Sequence, residues 1–233
     1  MLVQRRVHWE AQALLFNLIH RLDIVVVIFS LLLIPGVFLH EISHYLMAKL
    51  LGVSTGNLSL LPKSLPNGKL SLGYVETEKV DFIRDGLIGL APLLSGSTLI
   101  GFIGTTKLHL IDIWITLPIE SWQQISSAIT ILIQQPDFWI WFYLILAISS
   151  TMIPSASDRR SWLIIGSLMS FFGITIWLVG GGFWLLNALR DPSNWIVRSF
   201  NLVLSLSLMT HVLIWLPLLS LRILTTRKRD NFM

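Results

Sequence analysis

Long stretches without a formal charge are the feature that most constrains the fold of this chain. A helix that crosses a bilayer needs about 20 mainly apolar residues, and several charge-free intervals reach that length. We predict five such spans, with Glu41 as the one formal charge inside the first. The predicted spans are residues 24–48, 86–106, 138–157, 161–189 and 199–221.

The composition agrees with a bilayer as the main solvent. Of the 233 residues, 54% are hydrophobic and 13% are charged, whereas about a quarter of the residues in an ordinary soluble domain are charged. The mean hydropathy is +0.72. We therefore predict an all-α polytopic membrane protein, formed as a single membrane domain over residues 1–233 with the lipid bilayer around it.

Three segments between or before these spans have other patterns. Residues 1–21 predict an amphipathic helix at the membrane interface. Residues 108–137 contain apolar stretches that are interrupted by charges and a proline, so we interpret them as an interfacial or re-entrant helix pair, with a sixth span as the alternative. Residues 58–78 predict a membrane-associated β-hairpin, because Pro66-Asn67-Gly68 is a turn signal and residues 69–75 alternate like a strand.

The basic residues lie in short groups beside the apolar spans, in Arg5-Arg6, Arg159-Arg160 and Arg227-Lys228-Arg229. This placement is typical of membrane orientation signals, and we predict no nucleic-acid partner. With five spans, the segments 49–85, 159–160 and 222–229 share one side and hold most of the 17 Lys and Arg residues. The positive-inside rule predicts that this side is cytoplasmic.

The first span contains the sequence His-Glu-Ile-Ser-His at residues 40–44. On a helix this spacing places His40 and His44 one turn apart on the same face, where both imidazoles can reach one metal ion. Glu41 is adjacent to His40, and we predict that it is a general base that acts on water. The chain has no cysteine, so any ligands are nitrogen or oxygen. Alternatively, these side chains form hydrogen bonds within a helix bundle.

A catalytic zinc site needs a third protein ligand, and Asp158 is our candidate. It follows the third span in Thr-Met-Ile-Pro-Ser-Ala-Ser-Asp at residues 151–158. Pro154 cannot continue a regular helix, so we expect the backbone to open before Asp158. The alternative is that Asp158 caps the N-terminus of the following helix.

These features resemble the site-2 protease family of intramembrane zinc metalloproteases. The resemblance covers roughly residues 24–160, which we interpret as the catalytic core with further helices at 161–233. It depends on LHEISHYLMAKLLGV at 39–53, GLAPLLSG at 89–96 and TMIPSASD at 151–158. The family pattern around the aspartate differs, because Thr151 and Arg159 replace its Asn and Gly and the Pro–Asp spacing is one residue shorter.

The resemblance implies a zinc metalloendopeptidase that cleaves transmembrane segments of membrane proteins by attack of zinc-activated water. It implies Zn²⁺ held by His40, His44 and Asp158, with Glu41 as the catalytic base. The family often has a β-hairpin whose edge pairs with an extended substrate. The residues here that match this edge are Lys69, Leu70, Ser71, Leu72, Gly73 and Tyr74. The short core implies a prokaryotic plasma-membrane protein whose active site lies toward the cytoplasmic side.

Two other functions fit parts of the sequence. Zinc permeases also carry a His-Glu-x-x-His run in a transmembrane helix, although this chain lacks their second His/Asn/Asp cluster. A non-catalytic relative that binds transmembrane helices is the third possibility. His211, in the last span, could support the metal site or be a hydrogen-bonded bundle histidine, and Gly89 to Gly96 could open the second helix or form a small-residue packing face.

Overall fold

The computed structural model describes residues 2–60, 63–64, 70–71, 73–116 and 121–230. Most of this part of the chain is helical. The helices are α1 (Leu2–Ile19), α2 (Leu22–Leu32), α3 (Ile34–Leu50), α4 (Phe82–Phe102), α5 (Leu110–Thr116), α6 (Trp122–Ile133), α7 (Phe138–Thr151), α8 (Trp162–Ile176) and α9 (Gly182–Asp230). Short π-helical segments extend α4 over Ile103–Lys107 and join α8 to α9 over Trp177–Gly181.

Two helical stretches in the described residues are long and apolar enough to cross a membrane by themselves, Phe82–Lys107 and Trp162–Leu224. Two further pairs meet the same test together but are strongly bent, by 70° between α2 and α3 and by 95° between α6 and α7. Length and composition therefore support two candidate spans, or four if each bent pair is one span. The prediction of apolar helices long enough to cross a membrane is confirmed.

The bend in the first predicted span has a local cause. Pro35 lies in the first turn of α3 and has no N–H to donate to the carbonyl four residues earlier. The helix breaks at Leu33, whose N–H donates to the Ser30 carbonyl at 3.1 Å. The Tyr143 hydroxyl of α7 donates to the Leu32 carbonyl at 3.0 Å. A carbonyl that the break exposes is thus satisfied by a neighbouring helix.

The boundary predicted between the last two spans does not coincide with a helix end. The charged residues 190–198 lie within α9, which continues through this segment. The backbone instead leaves helical geometry at Gly180, which has φ +89°. Glycine adopts this left-handed conformation without steric cost, whereas exposed charges at 190–198 can project outward from an unbroken helix. The third predicted span, 138–157, also ends earlier, because α7 stops at Thr151, before Pro154.

The predicted β-hairpin between the first two apolar segments is confirmed and begins three residues before its predicted start. Strand β1 (Thr55–Ser59) pairs antiparallel with β4 (Tyr74–Thr77), and β2 (Lys63–Ser64) pairs with β3 (Leu70–Ser71). Leu58 lies opposite Val75 in the longer pair. The predicted turn at residues 66–68 lies outside the described residues.

The helices α3, α4, α7 and the middle of α9 pack together around the main hydrophobic core. Its buried members include Ile100, Ile103, Ile145, Ile148, Val203 and Leu206. Helix α1 forms as predicted and packs along α9. Glu10 of α1 is 3% exposed and pairs with Arg222 of α9, so the two helices are joined by a partly buried ion pair as well as by apolar contacts.

Helices α3 and α7 approach each other closely at Gly36. A Cβ atom added there would lie 2.2 Å from the Ala147 carbonyl oxygen and 2.4 Å from the Thr151 hydroxyl. The first neighbour is backbone, which cannot move aside as a flexible side chain can. Close helix contacts through glycine are common in membrane bundles, and here the contact positions α3 against the end of α7.

We expect Gly36→Ala to destabilise the protein by about 1–3 kcal/mol, the usual cost of overpacking. Gly101→Ala is the matched control, because a Cβ at Gly101 meets no atom within 4 Å and alanine is the better helix former. Thermal unfolding in detergent measures both. Equal stability of the two variants would contradict the close contact.

Candidate metal centre

The two histidines of α3 converge as the sequence predicts. His40 and His44 are one turn apart, and their Nε2 atoms are 3.1 Å from each other. The ring planes are nearly perpendicular, at 82°. Both side chains are largely buried, with 14% and 10% of their surface exposed. The edges of both rings therefore face the same small volume.

Asp158 reaches this volume from the loop between α7 and α8. Its Oδ1 lies 3.5 Å from Nε2 of His44, and its Oδ2 lies 3.8 Å from Nε2 of His40. The residue at the N-cap of α8 is Ser161, so the alternative that Asp158 caps this helix is wrong. Among the described residues, His40, His44 and Asp158 form a group whose ligand atoms all lie within 4.8 Å of one another.

The donor set and its geometry fit zinc. Tetrahedral zinc with bonds of about 2.0–2.1 Å to nitrogen and oxygen requires ligand atoms roughly 3.4 Å apart. The two Nε2 atoms are 3.1 Å apart, close to this value. The Asp158 carboxylate reaches them through different oxygens, at 3.5 and 3.8 Å, and with one ligand atom from each residue all three lie within 4.8 Å of one another. Two neutral imidazoles and one carboxylate are also a common ligand set for catalytic zinc, and they leave a fourth position open.

The loop that carries Asp158 is held by its own hydrogen bonds. The Ser155 N–H donates to Oδ2 of Asp158 at 2.7 Å, and the Asp158 N–H donates to the Ser155 hydroxyl at 3.3 Å. The loop also lies directly against α4, because a Cβ on Gly89 would be 1.9 Å from the Asp158 carbonyl oxygen. These contacts restrict the carboxylate to the side of the loop that faces α3.

A charged contact fastens the same loop to the first turn of α4. The Arg160 guanidinium donates from Nε to Oδ2 of Asp85 at 2.9 Å and makes a second bond to Oδ1, and the Ser161 hydroxyl also donates to this carboxylate. Hydrogen bonding to Asp85 raises the pKa of Arg160 further above its usual value, so the guanidinium remains charged. Bidentate pairing of this kind fixes orientation as well as distance.

The second ring nitrogens of the histidines are also buried. Nδ1 of His44 lies 2.8 Å from the Ile88 carbonyl oxygen of α4. A carbonyl can only accept, so Nδ1 carries the proton and Nε2 presents its lone pair to the metal position. Nδ1 of His40 has no completed hydrogen bond, and the backbone of Thr151, at the end of α7, approaches this ring.

Glu41 lies beside the ligands without belonging to the ligand group. It is 7% exposed and lines the same cavity of about 500 Å³ as the two histidines and Asp158. Gly73 of the hairpin segment packs on it, because a Cβ there would be 2.9 Å from Cγ of Glu41. The carboxylate is thus enclosed next to the site where the metal ligands converge.

The hairpin forms one wall of the cavity. Tyr74, Val75 and Thr77 of β4 line it, together with Gly73. Of the predicted substrate-contacting residues, Gly73 and Tyr74 therefore lie at the cavity, and Leu70 and Ser71 form β3. Lys69 and Leu72 lie outside the described residues.

His211 is a hydrogen-bonded bundle histidine, as the second of our two interpretations states. Its Nδ1 bonds the Ser207 carbonyl at 2.6 Å and its Nε2 bonds the Ser150 hydroxyl at 3.1 Å. The segment from Gly89 to Gly96 stays helical within α4 and packs closely on its neighbours. It is therefore a packing face, and the predicted alternative of an opened helix is wrong.

Sequence reasoning missed two groups that support the ligands. The Ile88 carbonyl is a backbone group, so the side chain at position 88 gives no indication of this contact. Asp85 and Arg160 are 75 positions apart, and pairs at such a distance are not apparent from one sequence. Comparison with family models, curated proteins and solved structures finds no match to this chain.

We expect purified protein to contain about one zinc per chain and to lose it in His44→Ala and in Asp158→Ala. His109→Ala and Asp112→Ala are matched controls, because this exposed pair lies outside the ligand group. Mass spectrometry of detergent-purified protein measures the metal content. Zinc retained in Asp158→Ala but lost in His44→Ala would place the third ligand elsewhere.

We also expect Gly89→Ala to weaken zinc binding about tenfold or more, because the new methyl group displaces the Asp158 backbone, and groups that orient ligands contribute effects of this size. Gly101→Ala in the same helix is the control. Competition with a chelating dye gives the affinities. Unchanged zinc affinity in Gly89→Ala would show that the loop position does not determine ligand geometry.

Proposed function

We propose that this protein is an intramembrane zinc metalloprotease that cleaves transmembrane segments of other membrane proteins. One observation carries the proposal: three potential zinc ligands, His40, His44 and Asp158, converge in one cavity with the buried Glu41. The resemblance of the surrounding motifs to the site-2 protease family agrees with it.

Each polar side chain at the centre has a role in this chemistry. His40, His44 and Asp158 would hold the ion, and Zn²⁺, when bound, supplies a Lewis acid for peptide hydrolysis. Glu41 takes a proton from the attacking water and later delivers it to the leaving amine nitrogen. A buried carboxylate is suited to this exchange, because the enclosing walls keep bulk water from competing for the proton.

The substrate enters as an extended segment. A regular helix has its backbone hydrogen bonds satisfied internally, so a transmembrane helix must unwind before a peptide bond can reach the centre. Strand β4 lines the cavity and pairs with β1 along one edge. Pairing of the substrate with the other edge would stabilise the extended form. We assign this role to the segment Lys69 to Tyr74 and the strand that follows.

The membrane arrangement in this proposal has five to six spans, with the bent α2–α3 pair as the first. Arg159, Arg160 and the basic residues at 222–229 then share one side, which we assign to the cytoplasm by the positive-inside rule. The centre lies toward that side, because Asp158 immediately precedes Arg159. We place the protein in a prokaryotic plasma membrane.

We expect Glu41→Gln to abolish cleavage, a loss of at least about 100-fold for removal of a general base, while one zinc per chain is retained. Glu78→Gln is the control, because Glu78 is exposed. The assay reconstitutes each variant in liposomes with a panel of single-span reporter proteins whose transmembrane helices contain glycine or proline.

Two results would contradict this proposal. Cleavage that persists in Glu41→Gln would exclude the assigned base. Zinc flux into the same liposomes that survives Glu41→Gln, with no cleavage by wild type, would favour a zinc transporter.

A further inference from the structure

A proline lies inside α4, the helix whose backbone contacts His44. Pro92 is the eleventh residue of this helix, which continues unbroken from Phe82 to Phe102. Proline has no backbone N–H, so the carbonyl four residues earlier loses its usual helical donor. That carbonyl belongs to Ile88. The proline ring also crowds the same carbonyl oxygen and tilts it outward from the helix axis.

The Ile88 carbonyl oxygen accepts a hydrogen bond from His44. It lies 2.8 Å from Nδ1 of His44 across the contact between α4 and α3. Both residues are buried, at 7% and 8% exposure, so the hydrogen bond between them lies away from bulk water. The oxygen that lacks a helical donor because of Pro92 is therefore the same oxygen that accepts the hydrogen bond from His44.

We propose that Pro92 is a positioning residue for the metal centre. It keeps the Ile88 carbonyl free to accept from Nδ1 of His44, which holds the imidazole in the tautomer whose Nε2 can ligate. A residue with an N–H at position 92 would return this carbonyl to the α4 hydrogen-bond ladder. This inference rests on the proposed function only in that His44 is a metal ligand.

The proposal differs from a general packing role for the proline. A proline that merely shaped α4 would, when replaced, alter stability and metal binding together. Under our proposal the replacement restores a helical hydrogen bond and takes one from His44. The Pro92 side chain is fully buried, so a smaller residue lowers stability through lost packing in either case. The hydrogen bond of His44 is therefore the property that distinguishes the two roles. Orienting partners of zinc-bound histidines typically contribute 10–100-fold to metal affinity.

The chain provides a matched control in α9. Pro217 is also inside a helix, and the carbonyl it frees belongs to Leu213, which is 49% exposed. No member of the described ligand group lies in α9. Pro217→Ala therefore makes the same chemical change without access to the metal centre.

The experiment compares wild type, Pro92→Ala, Pro92→Gly, Pro217→Ala and His44→Ala as full-length protein in detergent. Zn²⁺ affinity is measured by chelator competition, and thermal stability is measured without metal. We expect Zn²⁺ affinity about 10–100-fold lower in both Pro92 variants and unchanged affinity in Pro217→Ala. The melting temperature verifies that each metal-free variant is folded.

Proton and ¹⁵N NMR of histidine-labelled protein gives a second reading. In zinc-loaded wild type, the Nδ1–H proton of His44 should be downfield and slow to exchange, and it should exchange faster in the Pro92 variants. If these variants do not fold, the wild-type resonance decides, because its absence overturns the hydrogen bond on which the inference depends.

The outcomes separate this inference from the proposed function. Zinc bound by wild type and lost in His44→Ala, with wild-type affinity in both Pro92 variants, overturns the role of Pro92 and leaves the metal centre intact. Lower affinity with an Nδ1–H proton of His44 that exchanges no faster than in wild type shows a packing role and also overturns it. If wild type binds no zinc, both the inference and the metalloprotease fail.

Discussion

The convergence of two imidazoles and one carboxylate in an apolar body is the constraint on which the rest of the structure depends. Polar groups removed from water are costly unless they have partners. The Nε2 atoms of His40 and His44 and the carboxylate of Asp158 face one another. Backbone groups of α4 and of the loop after α7 hold Nδ1 of His44 and the Asp158 carboxylate. The relative positions of helix α3, helix α4 and this loop therefore determine whether the ligands meet.

Small residues make that register possible. Gly36 allows α3 to contact the end of α7, and Gly89 allows the Asp158 loop to lie on α4. Prolines interrupt the helices instead. Pro35 lies at the bend in the first span, and Pro154 follows the end of α7. The ligands thus occupy positions where regular helices are interrupted or closely apposed, and this is where side chains from distant parts of a chain can meet.

Polar side chains away from the centre are also paired between helices. Glu10 and Arg222 pair between α1 and α9, and His211 bonds the Ser150 hydroxyl between α9 and α7. Ser150 also lines the cavity that contains the metal ligands. Polar contacts therefore connect α1 to α9, and α9 to the helix whose end forms a wall of the proposed active site.

The sequence alone determined the apolar helical class, the hairpin and the identity of the candidate ligands, because these depend on local properties: charge-free length, turn residues and the one-turn spacing of His40 and His44. It did not locate the helix break at Gly180. The charges at 190–198 are compatible with an exposed helix surface, whereas glycine can adopt the left-handed conformation seen at Gly180. The tertiary structure decided whether Asp158 faces the histidines or caps α8, and which carbonyl orients His44. Both depend on contacts between segments tens of residues apart, whose relative positions follow from the packing of the whole bundle.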